Sequence, residues 1–193
     1  MEFNKEQLRK KYPGVKDVIF TKYQITEKTK QIAADINKRF EGEDLVLITV
    51  MAGGLSYTHE FMKRLDITPL YFDYIARSSY KFGKKMDNPK TFYEGKIDIK
   101  GKNVAIVDEI VDSGETIHKL VELLEGYEPK SISVVSIISK PGRIKAPENV
   151  KEYFCFEYDT DEFLVGYGLD YNQKYRNLPF IASVYRDDDF FEE

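Results

Sequence analysis

The sequence has little of what marks a disulfide-stabilised, metal-clustering or secreted protein. It contains one cysteine, Cys155, so neither an intrachain disulfide nor a cysteine-based metal cluster can form within this chain. Because Cys155 lies in an apolar run, we expect it to be a small core residue, and we expect a reducing cytoplasm as the compartment. The two histidines, His59 and His118, lie inside predicted helices, where surface or packing roles are expected.

Long apolar runs and an excess of positive charge are also missing. No run approaches the roughly 20 apolar residues that cross a membrane, and the charged start M-E-F-N-K-E-Q does not predict a signal peptide. The formal net charge is −4, so a general nucleic-acid binder is not expected. What remains is a chain of 193 residues, 42% hydrophobic and 32% charged, which is typical of one soluble globular domain.

Short apolar runs alternate with stretches of helical spacing, which predicts a parallel α/β sheet flanked by helices. The predicted strands cover 45–50, 71–76, 104–107 and 132–138. Helical spacing begins near Thr26, Leu55 and Ile117. Residues 78–98 have weak periodicity and are predicted to be a long connection with a functional or mobile role.

The unusual residues of the chain follow the ends of these predicted strands. They are the turn 51–54 (M-A-G-G), the acids Asp108 and Glu109, the loop 112–116, and Lys140. Ligands of parallel α/β sheets bind outside the carboxyl ends of the strands. The sequence therefore predicts one cleft at that edge of the sheet.

One stretch of the predicted cleft, residues 103–116, reads N-V-A-I-V-D-E-I-V-D-S-G-E-T. Its order is a buried strand, an acid pair, a small-residue loop and the start of a helix. The backbone N–H groups and the helix N-terminus of such a loop suit a phosphate. Acids beside a phosphate indicate sugar hydroxyls and a metal ion as further ligands. The alternative is an ordinary turn that carries solvated acids.

This stretch resembles the phosphoribosyl pyrophosphate signature of the type I phosphoribosyltransferases, which is four apolar residues, two acids, two apolar residues, then D-T/S-G-x-T. The resemblance implies a parallel-sheet core flanked by helices, with a small hood built from the chain termini. It also implies a single domain over 1–193. The core would span about 26–140, and the base-binding hood would span about 141–193 with help from the N-terminal segment.

The C-terminal segment narrows the resemblance. Residues 161–179 (D-E-F-L-V-G-Y-G-L-D-Y-N-Q-K-Y-R-N-L-P) closely resemble the base-binding segment of the hypoxanthine-guanine phosphoribosyltransferases, and S-S-Y at 78–80 and S-K-P-G-R at 139–143 agree. The alternative is an aromatic strand and turn of a core. The resemblance implies transfer of the 5-phosphoribosyl group from phosphoribosyl pyrophosphate to N9 of hypoxanthine or guanine, with Mg²⁺ as cofactor. It also implies a cytoplasmic homodimer or homotetramer, with no nucleic-acid or membrane partner.

The resemblance implies roles residue by residue. Asp112 would be the general base that takes the proton from N7 of the purine. The ribose and its 5′-phosphate would be bound by Asp108, Glu109, Asp112, Ser113, Gly114, Glu115 and Thr116. The purine would be bound by Lys140, Phe163, Leu164 and Asp170.

Other residues would serve the leaving pyrophosphate and its metal ion. Ala52 and Gly53 would contact pyrophosphate through the backbone, in an unusual peptide geometry, and Arg176 would contact it through its side chain. Ser79 and Tyr80 would belong to a mobile lid over the reacting centre. The magnesium ligands would be Asp170, Asp108 and Glu109.

Two positions depart from the family pattern. The acid pair is Asp108 then Glu109, where the family usually has Glu then Asp, and Ala52 stands where the family usually has a lysine. Because of Ala52, a second function stays open: the chain could be a regulatory protein that binds phosphoribosyl pyrophosphate with little catalysis. The base pocket leaves open a preference for xanthine or another 6-oxopurine. Also open are whether Arg143 faces pyrophosphate, whether the lysines at 81, 84 and 85 attract it or are solvated, and what the acidic tail 186–193 does.

Overall fold

Helices and strands alternate along most of the chain, as the periodicity predicts. The computed structural model describes the backbone of residues 5–81, 84–92 and 95–185, and the side chains of residues 6–76 and 95–185. The helices are α1 (Lys5–Lys11), α2 (Lys22–Arg39), α3 (Gly54–Met62) and α4 (Glu115–Glu125). The strands are β1 (Val15–Phe20), β2 (Leu45–Met51), β3 (Leu70–Lys81), β4 (Lys84–Phe92), β5 (Asn103–Val111), β6 (Ser131–Ser139), β7 (Lys151–Glu157), β8 (Phe163–Val165) and β9 (Ile181–Val184).

The central layer is a sheet with the strand order β4-β3-β2-β5-β6-β7. Strands β3, β2, β5, β6 and β7 run parallel, whereas β4 pairs antiparallel with β3. The four predicted strands are β2, β3, β5 and β6, so the predicted parallel α/β fold is confirmed. Strands β2, β5 and β6 are almost entirely buried, because helices cover both faces of the sheet and the strands are apolar on both.

The two faces of the sheet are covered by different helices. Residues of α2 and α3 pack with one set of strand side chains, and residues of α4 pack with the other. Helix α2 begins at Lys22, earlier than the expected start near Thr26. Thr21 explains the difference, because it forms a capping box with Gln24: each side chain accepts a hydrogen bond from the other residue's backbone N–H.

A second, smaller sheet forms the hood. It has the order β1-β9-β8 and is antiparallel throughout, so it joins an N-terminal strand to two C-terminal strands. The predicted hood built from both chain termini is confirmed. The expected boundary near 140–141 does not coincide with this division, because β7 lies beyond it and pairs in the large sheet. The C-terminal segment therefore serves both sheets.

The long connection predicted over 78–98 contains strand structure along most of its length. Strand β3 continues to Lys81, and β4 returns beside it as the antiparallel edge of the sheet. An edge hairpin is held by backbone hydrogen bonds and does not require an apolar period, which is why the sequence pattern missed it. The side chains of Ser79, Tyr80, Lys81, Lys84 and Lys85 lie outside the described part of the chain, as does the tail 186–193.

The cysteine is a core residue, as expected. Cys155 is buried on β7, and its Sγ lies 3.3 Å from the hydroxyl of Tyr57, which is also buried. Burial raises the pKa of the Cys155 thiol and raises that of the Tyr57 phenol well above its usual value. Both groups therefore stay protonated at neutral pH. Among the described residues, no helix combines the length and the apolar character that crossing a membrane requires.

Candidate active site

The predicted cleft lies where three neighbouring parallel strands end. Strand β5 pairs with β2 on one side and with β6 on the other, so the residues after Met51, Val111 and Ser139 emerge at one edge of the sheet. The turn at 51–54, the loop at 112–116 and Lys140 all follow these ends directly. The structure thus brings together segments that the sequence placed at separate strand ends.

The acid pair lies near the end of β5, and its two side chains, Asp108 and Glu109, have different surroundings. Asp108 is buried, and its Oδ1 accepts a hydrogen bond from the backbone N–H of Glu109 at 2.9 Å. The Glu109 carboxylate lies against the turn after β2, since a Cβ added to Gly53 would overlap it. Its Oε2 is buried without a hydrogen-bond partner among the described residues. This carboxylate is therefore held at the predicted pyrophosphate loop with one oxygen unsatisfied.

The loop that opens α4 is shaped by a close backbone contact. Gly114 has φ +82°, a conformation that favours glycine, and a Cβ at this position would overlap the carbonyl of Ile144. The Ile144 N–H donates to the carbonyl oxygen of Ser113 at 2.9 Å. The segment after β6 thus packs on the predicted phosphate loop. The sequence pattern does not reveal this contact.

The predicted general base and the predicted purine-binding lysine touch. Lys140 Nζ lies 2.9 Å from Asp112 Oδ1, with 27% and 66% of the two side chains exposed. The backbone N–H of Lys140 also donates to the carbonyl of Val111 at 3.0 Å. Two residues predicted from separate motifs therefore form one solvent-accessible pair at the strand ends.

The hood supplies an aromatic surface and a buried strand. Phe163 opens β8 and is 44% exposed, and its ring meets that of Tyr171 edge-on with 5.2 Å between centroids. Leu164 is buried and pairs with Ser183 of β9. An exposed, supported ring is the arrangement that stacking on a planar base requires.

Arg176 and Asp170 form an ion pair in the loop between β8 and β9. Arg176 Nη2 lies 2.6 Å from Asp170 Oδ1, and its Nη1 donates to the carbonyl of Gly168 at 2.6 Å. Asp170 Oδ2 accepts from the backbone N–H of Gln173 at 2.8 Å. Both residues were predicted to serve the pyrophosphate and its metal, and here they also fix the loop conformation.

This loop rests on the turn after β2. Gly168 has φ +106°, and a Cβ at this position would overlap the carbonyl oxygen of Gly53. The Met51–Ala52 peptide bond is cis, which is an unusual geometry of the kind expected at this turn. Sequence reasoning did not single out Gly168. The signal available was the pair of glycines in the Gly166–Gly168 stretch, G-Y-G.

Some candidate residues lie elsewhere or outside the described part. The histidines are on helix surfaces: His59 is exposed on α3, and His118 lies 3.5 Å from Glu122 on α4. Arg143 is bound by three protein groups rather than free to meet a ligand. The side chains of Ser79 and Tyr80 are not described, so the lid stays a prediction.

Comparison with known proteins decides the family. Residues 17–172 match the family model of the phosphoribosyl transferase domain. The chain belongs to this family. It is 33% identical over 170 residues to the hypoxanthine-guanine phosphoribosyltransferase of Streptococcus pneumoniae, covering 87% of this chain and 92% of the relative. Its identity to the enzyme of the same name from Staphylococcus aureus is 32% over 171 residues, covering 88% and 94%.

Solved structures of phosphoribosyltransferases have the same fold. A hypoxanthine-guanine phosphoribosyltransferase from Bacillus anthracis has a TM-score of 0.77 and 37% identity, covering 89% of this chain and 98% of that one. The hypoxanthine phosphoribosyltransferase from Trypanosoma cruzi, in complex with the product IMP, has a TM-score of 0.78 and 26% identity. That comparison covers 92% of this chain and 97% of that one. The match therefore spans both the large sheet and the hood.

Proposed function

We propose that this phosphoribosyltransferase acts in purine salvage, transferring the 5-phosphoribosyl group from phosphoribosyl pyrophosphate to N9 of hypoxanthine or guanine. The products are IMP or GMP and pyrophosphate. The observation that carries the proposal is the contact of Lys140 with Asp112, because it joins the phosphoribosyl signature to the purine-binding segment. The relatives from Streptococcus pneumoniae and Staphylococcus aureus, which bear the corresponding name, support it.

Lys140 gives the site its preference for a 6-oxopurine. An ammonium group donates hydrogen bonds and accepts none, so it pairs with the 6-oxo group of hypoxanthine or guanine. The 6-amino group of adenine would meet it as donor against donor. A buried mismatch of this kind lowers kcat/KM by roughly 10³-fold or more. Phe163 stacks on the base, and the backbone near Leu164 reads its edge.

Asp112 is the general base that accepts the N7 proton of the purine. The bond between purine N9 and the anomeric carbon forms as the bond from that carbon to the pyrophosphate oxygen breaks, and the N7 proton passes to the Asp112 carboxylate. The chain forms no covalent bond with the sugar, so its contribution is to align the two reactants and stabilise the charge that develops. Ser113, Gly114, Glu115 and Thr116 hold the 5′-phosphate through the start of α4.

The acid residues of the site fit a magnesium ion. Asp108, Glu109 and Asp170 offer carboxylate oxygens, which Mg²⁺ prefers, and the unsatisfied buried Oε2 of Glu109 is an oxygen that a cation would satisfy. Among the described residues, no group of three or more His, Cys, Asp or Glu side chains forms a ready-made metal site. Mg²⁺ commonly takes one or two carboxylates and completes its shell with water and substrate phosphates. When bound, it neutralises charge on the pyrophosphate.

Other parts of the proposal rest on the family resemblance. Ser79 and Tyr80 close over the site as a lid and exclude water. Ala52, Gly53 and Arg176 contact pyrophosphate. The active form is a cytoplasmic homodimer or homotetramer whose partners are small-molecule substrates.

A steady-state assay with phosphoribosyl pyrophosphate, Mg²⁺ and each of hypoxanthine, guanine, xanthine and adenine tests the function. We expect nucleotide formation from hypoxanthine or guanine, and none from adenine. A higher kcat/KM for xanthine would move the preference to that base. Binding of phosphoribosyl pyrophosphate without any nucleotide product would reject the enzymatic function and favour a regulatory protein. That alternative is open because this chain has Ala52 where the family usually has a lysine.

Removing the Lys140 ammonium is expected to weaken purine recognition selectively. Lys140→Ala should raise the KM for hypoxanthine by roughly 10- to 100-fold, because a hydrogen bond from a charged donor is lost. The KM for phosphoribosyl pyrophosphate should change little. Lys145→Ala, which removes an exposed lysine after the same strand, is the matched control and should behave as wild type. A larger effect of Lys140→Ala on phosphoribosyl pyrophosphate than on hypoxanthine would show that the base pocket is misplaced.

A further inference from the structure

The backbone of Ile144 braces the predicted phosphate loop. Its N–H donates to Ser113, and its carbonyl lies against the Cα of Gly114 so closely that no side chain fits between them. Ile144 lies in a segment between β6 and β7 and is 51% exposed. Burial of its own side chain therefore does not hold this segment in place.

Arg143 connects the backbone at Ile144 to the large sheet. Its Nε donates to Ser139 Oγ at 2.6 Å, its Nη2 lies 2.8 Å from Glu152 Oε1, and its Nη1 donates to the Ile144 carbonyl at 3.2 Å. The Arg143 side chain is 7% exposed, and the guanidinium carbon lies 5.9 Å from the ring centroid of Phe154. A planar guanidinium that is fixed in this way by several partners is not replaced by lysine.

The partners of Arg143 are rigid parts of the fold. Ser139 is the last residue of β6 and is buried, and Glu152 lies near the start of β7. These two strands pair in parallel, so both anchor points belong to the large sheet. The chain of contacts runs from β6 and β7 through the guanidinium to the Ile144 carbonyl, and from the Ile144 N–H to the phosphate loop.

We propose that Arg143 is a positioning residue for the phosphate loop, acting through the Ile144 backbone to hold Ser113 and Gly114 in the conformation that binds a sugar phosphate. The proposal rests on the proposed function for the identity of that ligand. The question whether Arg143 faces pyrophosphate was left open by the sequence; all three of its nitrogens have protein partners, which favours the positioning role. Arg143 therefore acts on the ligand through the phosphate loop, since its side chain contacts Ser139, Glu152 and the Ile144 carbonyl.

Two substitutions, one on each side of the ion pair between Arg143 and Glu152, test the brace. Arg143→Gln and Glu152→Gln should each raise the Kd for ribose 5-phosphate about tenfold, measured by titration calorimetry on the full chain, because each removes one charge of the ion pair that anchors the brace. In the assay, the KM for phosphoribosyl pyrophosphate should rise by a similar factor. The KM for hypoxanthine and kcat should change less than twofold, which a general loss of folding would not produce.

The sign of the Glu152→Gln effect separates the brace from simple electrostatics. Removing a carboxylate near an anion site should strengthen anion binding if long-range charge alone mattered. The brace predicts weaker binding instead. Lys145→Gln and Glu148→Gln, which remove a cation and a carboxylate from exposed positions of the same segment, are the matched controls and should bind ribose 5-phosphate like wild type.

Wild-type affinity in both Arg143→Gln and Glu152→Gln would overturn the proposal, as would a wild-type chain that fails to bind ribose 5-phosphate. If Arg143→Gln does not fold, Arg143→Lys takes its place, since lysine keeps the charge but cannot reach the same partners. It should weaken binding as well, and full rescue by lysine would reject the brace. The binding measurement does not need turnover, so a chain that forms neither IMP nor GMP but shows these losses would reject the proposed function and keep the brace.

Discussion

Replacing Asp112 with asparagine is expected to lower kcat for IMP formation by roughly 10²–10⁴-fold, the usual contribution of a general base. Asparagine keeps the size of the side chain but cannot accept the N7 proton. The Kd for phosphoribosyl pyrophosphate should stay nearly unchanged, because the phosphate is held by the loop that begins at Ser113. Single-turnover and steady-state kinetics with hypoxanthine, together with a binding titration, measure the two effects separately.

The fold should tolerate this substitution. The Asp112 side chain is 66% exposed, so its contact with Lys140 is screened by water and contributes little to stability. We expect the Tm to stay within about 2 °C of wild type, which corresponds to less than about 1 kcal/mol in a chain of this length. Asp35→Asn, an exposed aspartate in α2, removes the same charge away from the site and should keep full activity. Unchanged kcat in Asp112→Asn would reject the assigned role.

Adding one methyl group at Gly168 is expected to lower kcat/KM by about 10²-fold or more. The Cβ of Gly168→Ala would overlap the carbonyl oxygen of Gly53, so the hood loop and the predicted pyrophosphate loop must move apart. Both contacting groups are backbone, and neither can rotate away as a side chain would. A displacement of about 1 Å at a catalytic site is enough for a loss of this size. Steady-state kinetics with varied phosphoribosyl pyrophosphate should show the effect mainly in kcat/KM for that substrate.

Gly42→Ala is the matched control for this change. Gly42, in the turn after α2, also has positive φ, +73°, but a Cβ there meets nothing within 4 Å. Both variants therefore carry the conformational cost of alanine in the left-handed region, about 1–2 kcal/mol, and only Gly168→Ala adds the clash. Thermal unfolding should show a lower Tm for both. Equal activity in the two variants would mean that the contact between the hood and Gly53 does not position the site.

Part of the fold was predictable because the signal is local. Strands β2, β5 and β6 are covered on both faces, so nearly every residue in them is apolar and the run identifies the strand. The edge strand β4 reads K-K-M-D-N-P-K-T-F and carries no such apolar run, so its residues give no signal for a buried strand. The start of α2 was placed too late, because its start is set by the capping box of Thr21 and Gln24 rather than by the apolar stripe that begins further on.

The candidate site also has a part that the sequence predicted and a part that only the tertiary structure shows. Motif spacing alone placed Asp112 and Lys140 at strand ends, and the rule for parallel sheets placed those ends at one edge. Their separation of 2.9 Å depends on β5 and β6 being direct neighbours, which the order of the strands along the chain does not state. Arg143 shows the opposite case, since its partners on β6 and β7 gave it a structural role that its position in the motif did not indicate.

The sequence by itself determined which carboxylates, which lysine and which small residues follow the strand ends, and hence the resemblance to the phosphoribosyl pyrophosphate signature and to a base-binding segment. The tertiary structure alone decided how those segments support one another. Gly168 rests on Gly53, and Ile144 rests on Gly114, through backbone atoms that every residue possesses. The only sequence signal of such a contact is the glycine itself, because the contact forms only when segments distant in the chain pack against each other.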